Sequence, residues 1–206
     1  MIDFYSRNAK KFFNQYQQLA FEDVHRNWLH HLPDDPWHAL DIGAGSGRDA
    51  AALAKRDWRV VAVEPAAELR QLGEEATKGL SVQWIDDRLP ELGKVSALGY
   101  RFNLILVSAV WMHLPPSERD EAFNKLTELS IPDGIIVITL RHGPGDGERI
   151  FHETSRSELE GLADEKALTA LSTDESLQYD QLGRDHVWWE TVVLKTHATD
   201  VKHEPA

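Results

Sequence analysis

The segment Asp41-Ile42-Gly43-Ala44-Gly45-Ser46-Gly47 places three alternating glycines directly after a short apolar run. Residues 39–42 predict a strand, and the alanine-rich residues 50–54 predict a helix that begins directly after the turn. Glycines let the backbone turn tightly and let a ligand approach the main chain, while a helix N-terminus attracts an anionic group. Position 48 is Arg, whereas the dinucleotide fingerprint G-x-G-x-x-G needs a third glycine there. The turn therefore predicts a ligand site of another kind.

Two acidic elements follow the next two predicted strands. Glu64 ends the strand predicted over residues 60–64, and Asp86 and Asp87 follow the strand predicted over residues 82–85. Ligands of open parallel sheets lie across the carboxyl ends of the strands. Glu64 could accept both hydroxyls of a ribose there, and Asp86 or Asp87 could accept from the exocyclic amine of a base. Because the chain has no G-K-[ST] phosphate loop, the order of these elements indicates an adenosine without a triphosphate.

With these residues, the sequence resembles the class I, seven-stranded S-adenosylmethionine-dependent methyltransferases. Leu89-Pro90 after the acids, residues 102–114 and residues 131–139 also match the family's order. The N-terminal pattern with Tyr5, Phe12 and Tyr16 is similar to the segment that covers the cofactor in many members acting on small molecules; the alternative is the buried face of a helix. The resemblance implies that S-adenosylmethionine is bound by a defined set of residues, in which Asp86 and Asp87 are rivals for the adenine. That set is Tyr16, Asp41, Gly43, Ala44, Gly45, Gly47, Glu64, Pro65, Asp86, Asp87, Ser108 and Val110.

The alternation of apolar strands and amphipathic segments predicts an α/β fold, with a doubly wound, mostly parallel sheet and helices on both faces. The resemblance implies seven strands with the last one antiparallel. We expect one domain over residues 1–206: a helical N-terminal cap (1–37), a cofactor-binding core (38–141) and a C-terminal part that completes the sheet (142–206). Further strands are predicted at 104–108, 135–140 and 187–194, and helices at 46–56, 66–78, 116–130 and 155–170. In the cap, Phe21, Val24, Trp28 and Leu32 share one helical face.

Composition narrows the possible substrates. The net charge of −12, with no basic cluster, disfavours nucleic acid and favours a small methyl acceptor. Cysteine is absent, which excludes thiolate metal sites and methylation at carbon 5 of a pyrimidine through a cysteine nucleophile. No apolar run reaches the ~20 residues of a membrane span, and no hydrophobic signal segment is present, so a cytoplasmic protein is expected. The sequence does not indicate its oligomeric state.

Two histidines are candidate catalytic residues because imidazole can act as a base near neutral pH. His113 follows the fourth predicted strand, where the methionine part of the cofactor should end; alternatively it caps or packs the loop. His142 follows the fifth strand, and Arg141 beside it could hold an acidic acceptor; alternatively both are exposed loop residues. The remaining histidines show no metal-ligand spacing, so no metal is expected.

The leading interpretation is methyl transfer to O or N of a small acceptor. A nicotinamide-dependent oxidoreductase would also use Glu64 on a ribose, but the glycine spacing and Asp41 argue against it. A non-catalytic sensor or scaffold that binds S-adenosylmethionine or its demethylated product is a third interpretation. Methyltransferases acting on transfer RNA or protein also remain open.

Overall fold

The computed structural model describes residues 1–174 and 177–197, and within them the chain forms an α/β fold. The strands are β1 His38–Ile42, β2 Arg59–Val63, β3 Val82–Ile85, β4 Phe102–Val107, β5 Ser130–His142, β6 Thr169–Leu171, β7 Leu177–Tyr179 and β8 Trp188–Lys195. The helices are α1 Ile2–Arg7, α2 Ala9–Gln17, α3 Phe21–His25, α4 Arg48–Ala54, α5 Ala67–Ala76, α6 Gly93–Ser96, α7 Pro116–Leu129 and α8 Arg156–Glu165. Short 3-10 turns lie at Leu29–His31 and Trp111–His113.

These strands form one sheet in the order β3-β2-β1-β4-β5-β8-β6, and β7 also pairs with β8. Strands β1 to β5 are parallel, whereas β8 runs antiparallel to β5. The predicted mostly parallel sheet with an antiparallel last strand is confirmed. The order reverses between β1 and β4, so the ends of these two strands border a crevice that can hold a ligand.

Helices cover both faces of the sheet, as predicted. Successive strand residues point to opposite faces, so Leu40 and Ile42 join a buried cluster with Phe123 of α7. Ala39 belongs to a second buried cluster that contains Leu53 of α4. Strands that are buried on both faces read as continuous apolar runs, which is why β1, β2 and β4 could be located from the sequence.

The C-terminal part differs from the prediction in detail. The predicted helix 155–170 ends at Glu165, because Ala167 adopts a positive φ of 56° and the chain then enters β6. The sheet gains one strand beyond the seven expected, because β6 and β7 both pair with the outer edge of β8. Each has only three residues, which is too few to show a periodic apolar pattern in the sequence. Residues 175–176 and 198–206 lie outside the described residues.

The N-terminal residues form a helical segment, as predicted, but it is divided into short helices. Phe21 and Trp28 are buried together in the cluster beneath α4. The helix that begins at Phe21 ends at His25, where the His25 ring accepts a hydrogen bond from Trp28 Nε1 at 3.1 Å. Within the described residues, no helix has the length and apolarity to cross a membrane.

Candidate active site

The glycine turn after β1 connects the strand to α4 through residues with positive φ. Ala44 N donates to Val63 O at 2.9 Å, which ties the turn to β2. Gly43 has no room for a side chain, since a Cβ there would lie 2.3 Å from Val110 Cγ2. Gly45, at φ +55°, lies beneath the Tyr16 ring, whose Cδ2 would be 3.5 Å from an added Cβ. The turn therefore exposes main chain to the space between Val110 and Tyr16.

The carboxylate of Glu64 lies beside this turn. One oxygen accepts from Gly45 N at 3.0 Å and the other from Ala66 N at 2.8 Å. The residue is only 7% exposed, and burial raises its pKa, although these two N–H groups partly offset the effect. Glu64 thus fixes the turn and the start of the following segment, and still lines a cavity with its side chain.

A cavity of about 460 Å³ opens at the carboxyl ends of β1, β2 and β4. It is lined by most of the predicted cofactor residues together with His113. Those predicted residues are Tyr16, Asp41, Gly43, Ala44, Gly45, Glu64, Pro65, Asp87, Ser108 and Val110. The predicted set therefore largely converges on one cavity.

Two predicted cofactor residues do not line this cavity. Gly47, the residue before α4, has φ +75°, and a Cβ there would lie 2.9 Å from the Trp84 ring. The packing of α4 against β3 explains why residue 47 has no side chain. Asp86 points instead to basic side chains, with Arg70 at 3.4 Å and Lys94 at 3.6 Å.

Asp87 lines the cavity, but its carboxylate also begins a helix. One oxygen accepts from Lys94 N at 2.8 Å and Val95 N at 3.0 Å, and the other accepts from Arg88 N at 2.9 Å. Such bonds satisfy N–H groups that have no partner inside a helix. Of the two rival acids, Asp87 is the one placed beside the cavity.

Beneath the turn lies a buried polar cluster that sequence reasoning did not identify as a unit. Trp28 Nε1 donates to His25 Nδ1, so His25 Nε2 carries the proton and donates to Asp49 at 3.0 Å. Arg48 forms two hydrogen bonds to the same carboxylate, at 2.6 and 2.9 Å. Burial opposes ionisation of Asp49, but His25 and Arg48 outweigh it and hold its pKa below the usual range. Asp49 therefore stays charged and orients Arg48, which lines the cavity.

Asp41 lies beside this cluster with an unsatisfied carboxyl oxygen. It is 2% exposed, and its Oδ2 has no hydrogen-bond partner. Burial, with the charge of Asp49, raises the pKa of Asp41 well above its usual range. A buried polar atom without a partner is costly, so a ligand that donates to Asp41 would remove that cost.

His113 forms a hydrogen-bonded chain at another wall of the cavity. Its Nδ1 lies 3.2 Å from Ile150 O, an acceptor, so Nδ1 carries the proton. Its Nε2 therefore accepts from the Tyr5 hydroxyl at 3.0 Å, and that hydroxyl accepts from Arg149 Nη1 at 3.0 Å. Burial lowers the pKa of His113 to about 4; the Ile150 carbonyl partly offsets this effect and the charge of Arg149 adds to it. His113 is neutral at pH 7 and has a proton-accepting nitrogen.

This pKa predicts a specific pH dependence of stability. Between pH 6.5 and about 4 the unfolded chain binds a proton at His113 that the folded chain does not. The free energy of unfolding should therefore fall as the pH decreases through this window, by up to about 1.4 kcal/mol per pH unit from this group. His113→Asn should reduce that slope in urea unfolding measured from pH 7 to 4. A slope in His113→Asn equal to that of the wild type would contradict the assignment.

His142, the second predicted catalytic residue, does not line the cavity. Its Nε2 lies 3.3 Å from a Glu190 carboxylate oxygen, and its ring stacks on Trp188. The neighbouring Arg141 does line the cavity. Because successive strand residues face opposite sides, Arg141 on β5 takes the cavity side and His142 the other.

Three arginines from the C-terminal part of the described chain, Arg141, Arg149 and Arg184, line the cavity, and only Arg141 lies beside a residue that the sequence predicts to be functional. Arg149 and Arg184 follow no motif. Each is ion-paired within the same loop region, Arg149 with Asp146 at 2.7 Å and Arg184 with Asp180. Only the tertiary structure brings these loop residues opposite the glycine turn.

Comparison with known proteins identifies the core. Residues 39–134 match the family model described as a methyltransferase domain. No curated protein matches the sequence. The structure is similar to that of Burkholderia thailandensis 1,6-didemethyltoxoflavin-N1-methyltransferase with bound 1,6-didemethyltoxoflavin and S-adenosylhomocysteine. The TM-score is 0.71 and the identity 20%, over 96% of this chain and 87% of that one.

Two other solved structures share the fold at lower identity. Magnesium protoporphyrin IX methyltransferase from Synechocystis PCC 6803, with bound S-adenosylmethionine, aligns with a TM-score of 0.65 and 13% identity, over 93% of this chain and 84% of that one. Haemonchus contortus phosphoethanolamine N-methyltransferase 2, in complex with S-adenosylmethionine, aligns with a TM-score of 0.69 and 14% identity, over 95% of this chain and 60% of that one.

Proposed function

We propose that this chain is a class I S-adenosylmethionine-dependent methyltransferase that methylates an oxygen or nitrogen of a small molecule; the methyltransferase-domain match over residues 39–134 supports the family. The observation that carries the proposal is the series of hydrogen bonds from Arg149 through Tyr5 to His113. It brings a proton-accepting histidine into the same cavity as the glycine turn. S-adenosylmethionine supplies the methyl group from a positively charged sulfonium. The protein's own contribution is to orient both reactants, exclude water and accept the acceptor's proton.

The residues around the turn fit this cofactor. Gly45 offers main chain without a Cβ, and the Glu64 carboxylate beside it suits two ribose hydroxyls. Asp41, whose buried Oδ2 is unsatisfied, suits the amino group of the methionine part. Arg48, oriented by Asp49, suits its carboxylate. Asp87, at the cavity wall after β3, is our candidate for the adenine amine.

The proton path uses Tyr5 and His113. An acceptor O–H or N–H gives its proton to the Tyr5 oxygen, while the Tyr5 proton moves to His113 Nε2 over 3.0 Å. Because the pKa of His113 is about 4, its ring accepts this proton only as the acceptor becomes acidic during methyl transfer. Arg149 remains hydrogen-bonded to the Tyr5 oxygen and disfavours a build-up of positive charge there.

The surroundings of the cavity support a small acceptor. Tyr5 and Tyr16, on the N-terminal helices, line the site from one side, and the volume of about 460 Å³ is within the range of small-molecule sites. The net charge of −12 also opposes binding of a polyanionic backbone.

Calorimetry tests the cofactor part of the proposal. We expect S-adenosylmethionine and S-adenosylhomocysteine to bind with roughly micromolar dissociation constants, about −8 kcal/mol, and NAD to give no heat. Glu64→Gln should weaken S-adenosylhomocysteine binding by about 1.5–3 kcal/mol, the range for hydrogen bonds to a charged group.

Glu91→Gln is the matched control, because Glu91 also lines the cavity but is exposed. It should bind S-adenosylhomocysteine like the wild type. Normal binding by a folded Glu64→Gln variant would remove Glu64 from the ribose site, and NAD binding without S-adenosylmethionine binding would overturn the cofactor assignment.

The acceptor part is tested with S-adenosylmethionine and panels of phenols, amines and small carboxylic acids, followed by mass spectrometry of products. Transfer RNA and a mixture of unmodified proteins are included as competing substrates. Methylation of a small molecule at O or N supports the proposal. Transfer only to the RNA or to protein would contradict it.

A further inference from the structure

Arg141 differs from the other arginines at the acceptor side of the cavity. It is only 6% exposed, and its Nε has no hydrogen-bond partner. Its Nη1 and Nη2 donate to Gly143 O at 3.2 Å and Pro144 O at 2.7 Å. These carbonyls orient the guanidinium but do not neutralise it. Within residues 1–174 and 177–197, no carboxylate lies within ion-pair distance of Arg141.

The two neighbouring arginines are already paired. Arg149 contacts Asp146 at 2.7 Å. Arg184 contacts Asp180, and this carboxylate also accepts from Trp189 Nε1 at 3.0 Å. Neither acid is available to Arg141 at hydrogen-bond distance, so this wall of the cavity carries one uncompensated positive charge.

The positive charge of Arg141 lies close to that of Arg149, because both guanidinium groups contact the Phe151 ring. The guanidinium carbons of Arg141 and Arg149 lie 4.4 and 4.9 Å from the centroid of the Phe151 ring. Cation–π contacts favour each guanidinium separately, but two like charges on one ring repel each other. Burial, together with Arg184 and Arg149, lowers the pKa of Arg141, and the Asp146 and Asp180 carboxylates offset this only in part. An anion bound here would compensate the buried charge and satisfy Nε.

We propose that the methyl acceptor carries an anionic group, a carboxylate or a phosphate, that binds Arg141 in this cavity. Guanidinium groups bind such anions with strong, charge-assisted hydrogen bonds. Arg141 is on β5 and Tyr5–His113 forms another wall of the same cavity, so the anion positions the acceptor while the reacting O–H or N–H faces Tyr5. This inference rests on the proposed function, because it specifies the acceptor for that same site.

The test uses the full-length chain saturated with S-adenosylhomocysteine and three probes of similar shape: benzoate, phenyl phosphate and the neutral benzamide. Binding is measured by calorimetry and by ligand-observed NMR. We expect at least one anion to bind about tenfold more tightly than benzamide, and the preferred anion distinguishes a carboxylate from a phosphate site. Equal affinity of all three probes for the wild-type chain would overturn the inference, without any need for a variant.

Two charge-removing variants localise the effect. Arg141→Gln should lose the preference for the anion, whereas Arg101→Gln, a change at an exposed arginine outside the cavity, should keep it. A preference retained in Arg141→Gln would place the anion elsewhere and contradict the inference. Both variants should bind S-adenosylhomocysteine within about twofold of the wild type. If the wild type itself does not bind S-adenosylhomocysteine, the proposed function fails; if it binds but shows no anion preference, only this inference fails.

Discussion

Gly45→Val is expected to abolish S-adenosylhomocysteine binding, with at least about a 100-fold loss of affinity, while the protein still folds. Gly45 has φ +55° and lines the cavity beneath Tyr16. A Cβ there would already be in contact with the Tyr16 ring at 3.5 Å, and the two methyl groups of valine would fill the space where a ligand meets the main chain. Calorimetry measures the loss of affinity, and thermal unfolding checks the fold.

Gly79→Val is the matched control for backbone strain. Gly79 also has a positive φ, +84°, but nothing lies within 4 Å of an added Cβ, and the residue does not line the cavity. Each substitution should destabilise the fold by about 1–2 kcal/mol, because a β-branched residue disfavours this conformation. Only Gly45→Val should lose the ligand. If folded Gly45→Val binds within tenfold of the wild type, the ligand does not lie on this turn.

The central part of the site could be predicted because its residues are close in sequence to strand ends. Gly43, Gly45 and Glu64 each follow a strand that reads as a continuous apolar run, and parallel strands bring their carboxyl ends to one edge of the sheet. The same rule predicts Ser108 and Val110, after β4, at this edge, and both line the cavity. Local sequence was sufficient wherever a short motif and the sheet topology determine the position of a residue.

Other predictions depended on side-chain direction, which local sequence leaves undetermined. Gly47 belongs to the same glycine motif, yet its lack of a side chain accommodates Trp84 of β3. Arg141 and His142 are adjacent, and the phase of β5 decides which of them faces the cavity. A shift of one residue along a strand exchanges the two faces, so His142 was as plausible from sequence as Arg141.

The hydrogen-bonded chain at the acceptor side could not have been assembled from sequence. Tyr5 contacts His113 across 108 positions and Arg149 across 144. Arg149 lies in a loop without a motif, and its position depends on packing against Tyr5, Phe12 and Phe151. Contacts of this range are a property of the folded chain, and the N-terminal pattern predicted only that Tyr5 and Tyr16 face the cofactor.

Removal of residues 1–16 is expected to reduce methyl transfer by at least about 100-fold, and cofactor affinity by only about tenfold. The deletion removes Tyr5, the hydrogen-bond partner of His113, and Tyr16, which covers Gly45. Losses of this size are typical when proton transfer and alignment of the reactants are both disturbed. Glu64 and Gly45 remain, so part of the binding energy is retained.

The truncated protein should keep its folded core. Ala9 of α2 is buried with Leu69 of α5 and with Ala66, which precedes that helix, in a small cluster separate from the two clusters that sandwich the sheet. Gln17, the first residue retained, donates to Ser46 O at 2.9 Å. A cooperative melting transition of the truncated chain would confirm that residues 1–16 are a layer added to an independent core. Methyl transfer is then compared on an acceptor from the panels described above.

Hydrogen exchange tests whether the cap acts as a lid, as we propose. Local opening allows amides to exchange, and a ligand that binds only the closed form slows that exchange. Amides of residues 4–16 should become at least about tenfold more protected when S-adenosylhomocysteine saturates the wild-type chain. Helix α8, which does not line the cavity, provides the internal control and should not change. Equal protection of residues 4–16 with and without the ligand would contradict the lid. These aromatic residues would then form a fixed wall that excludes water in both states.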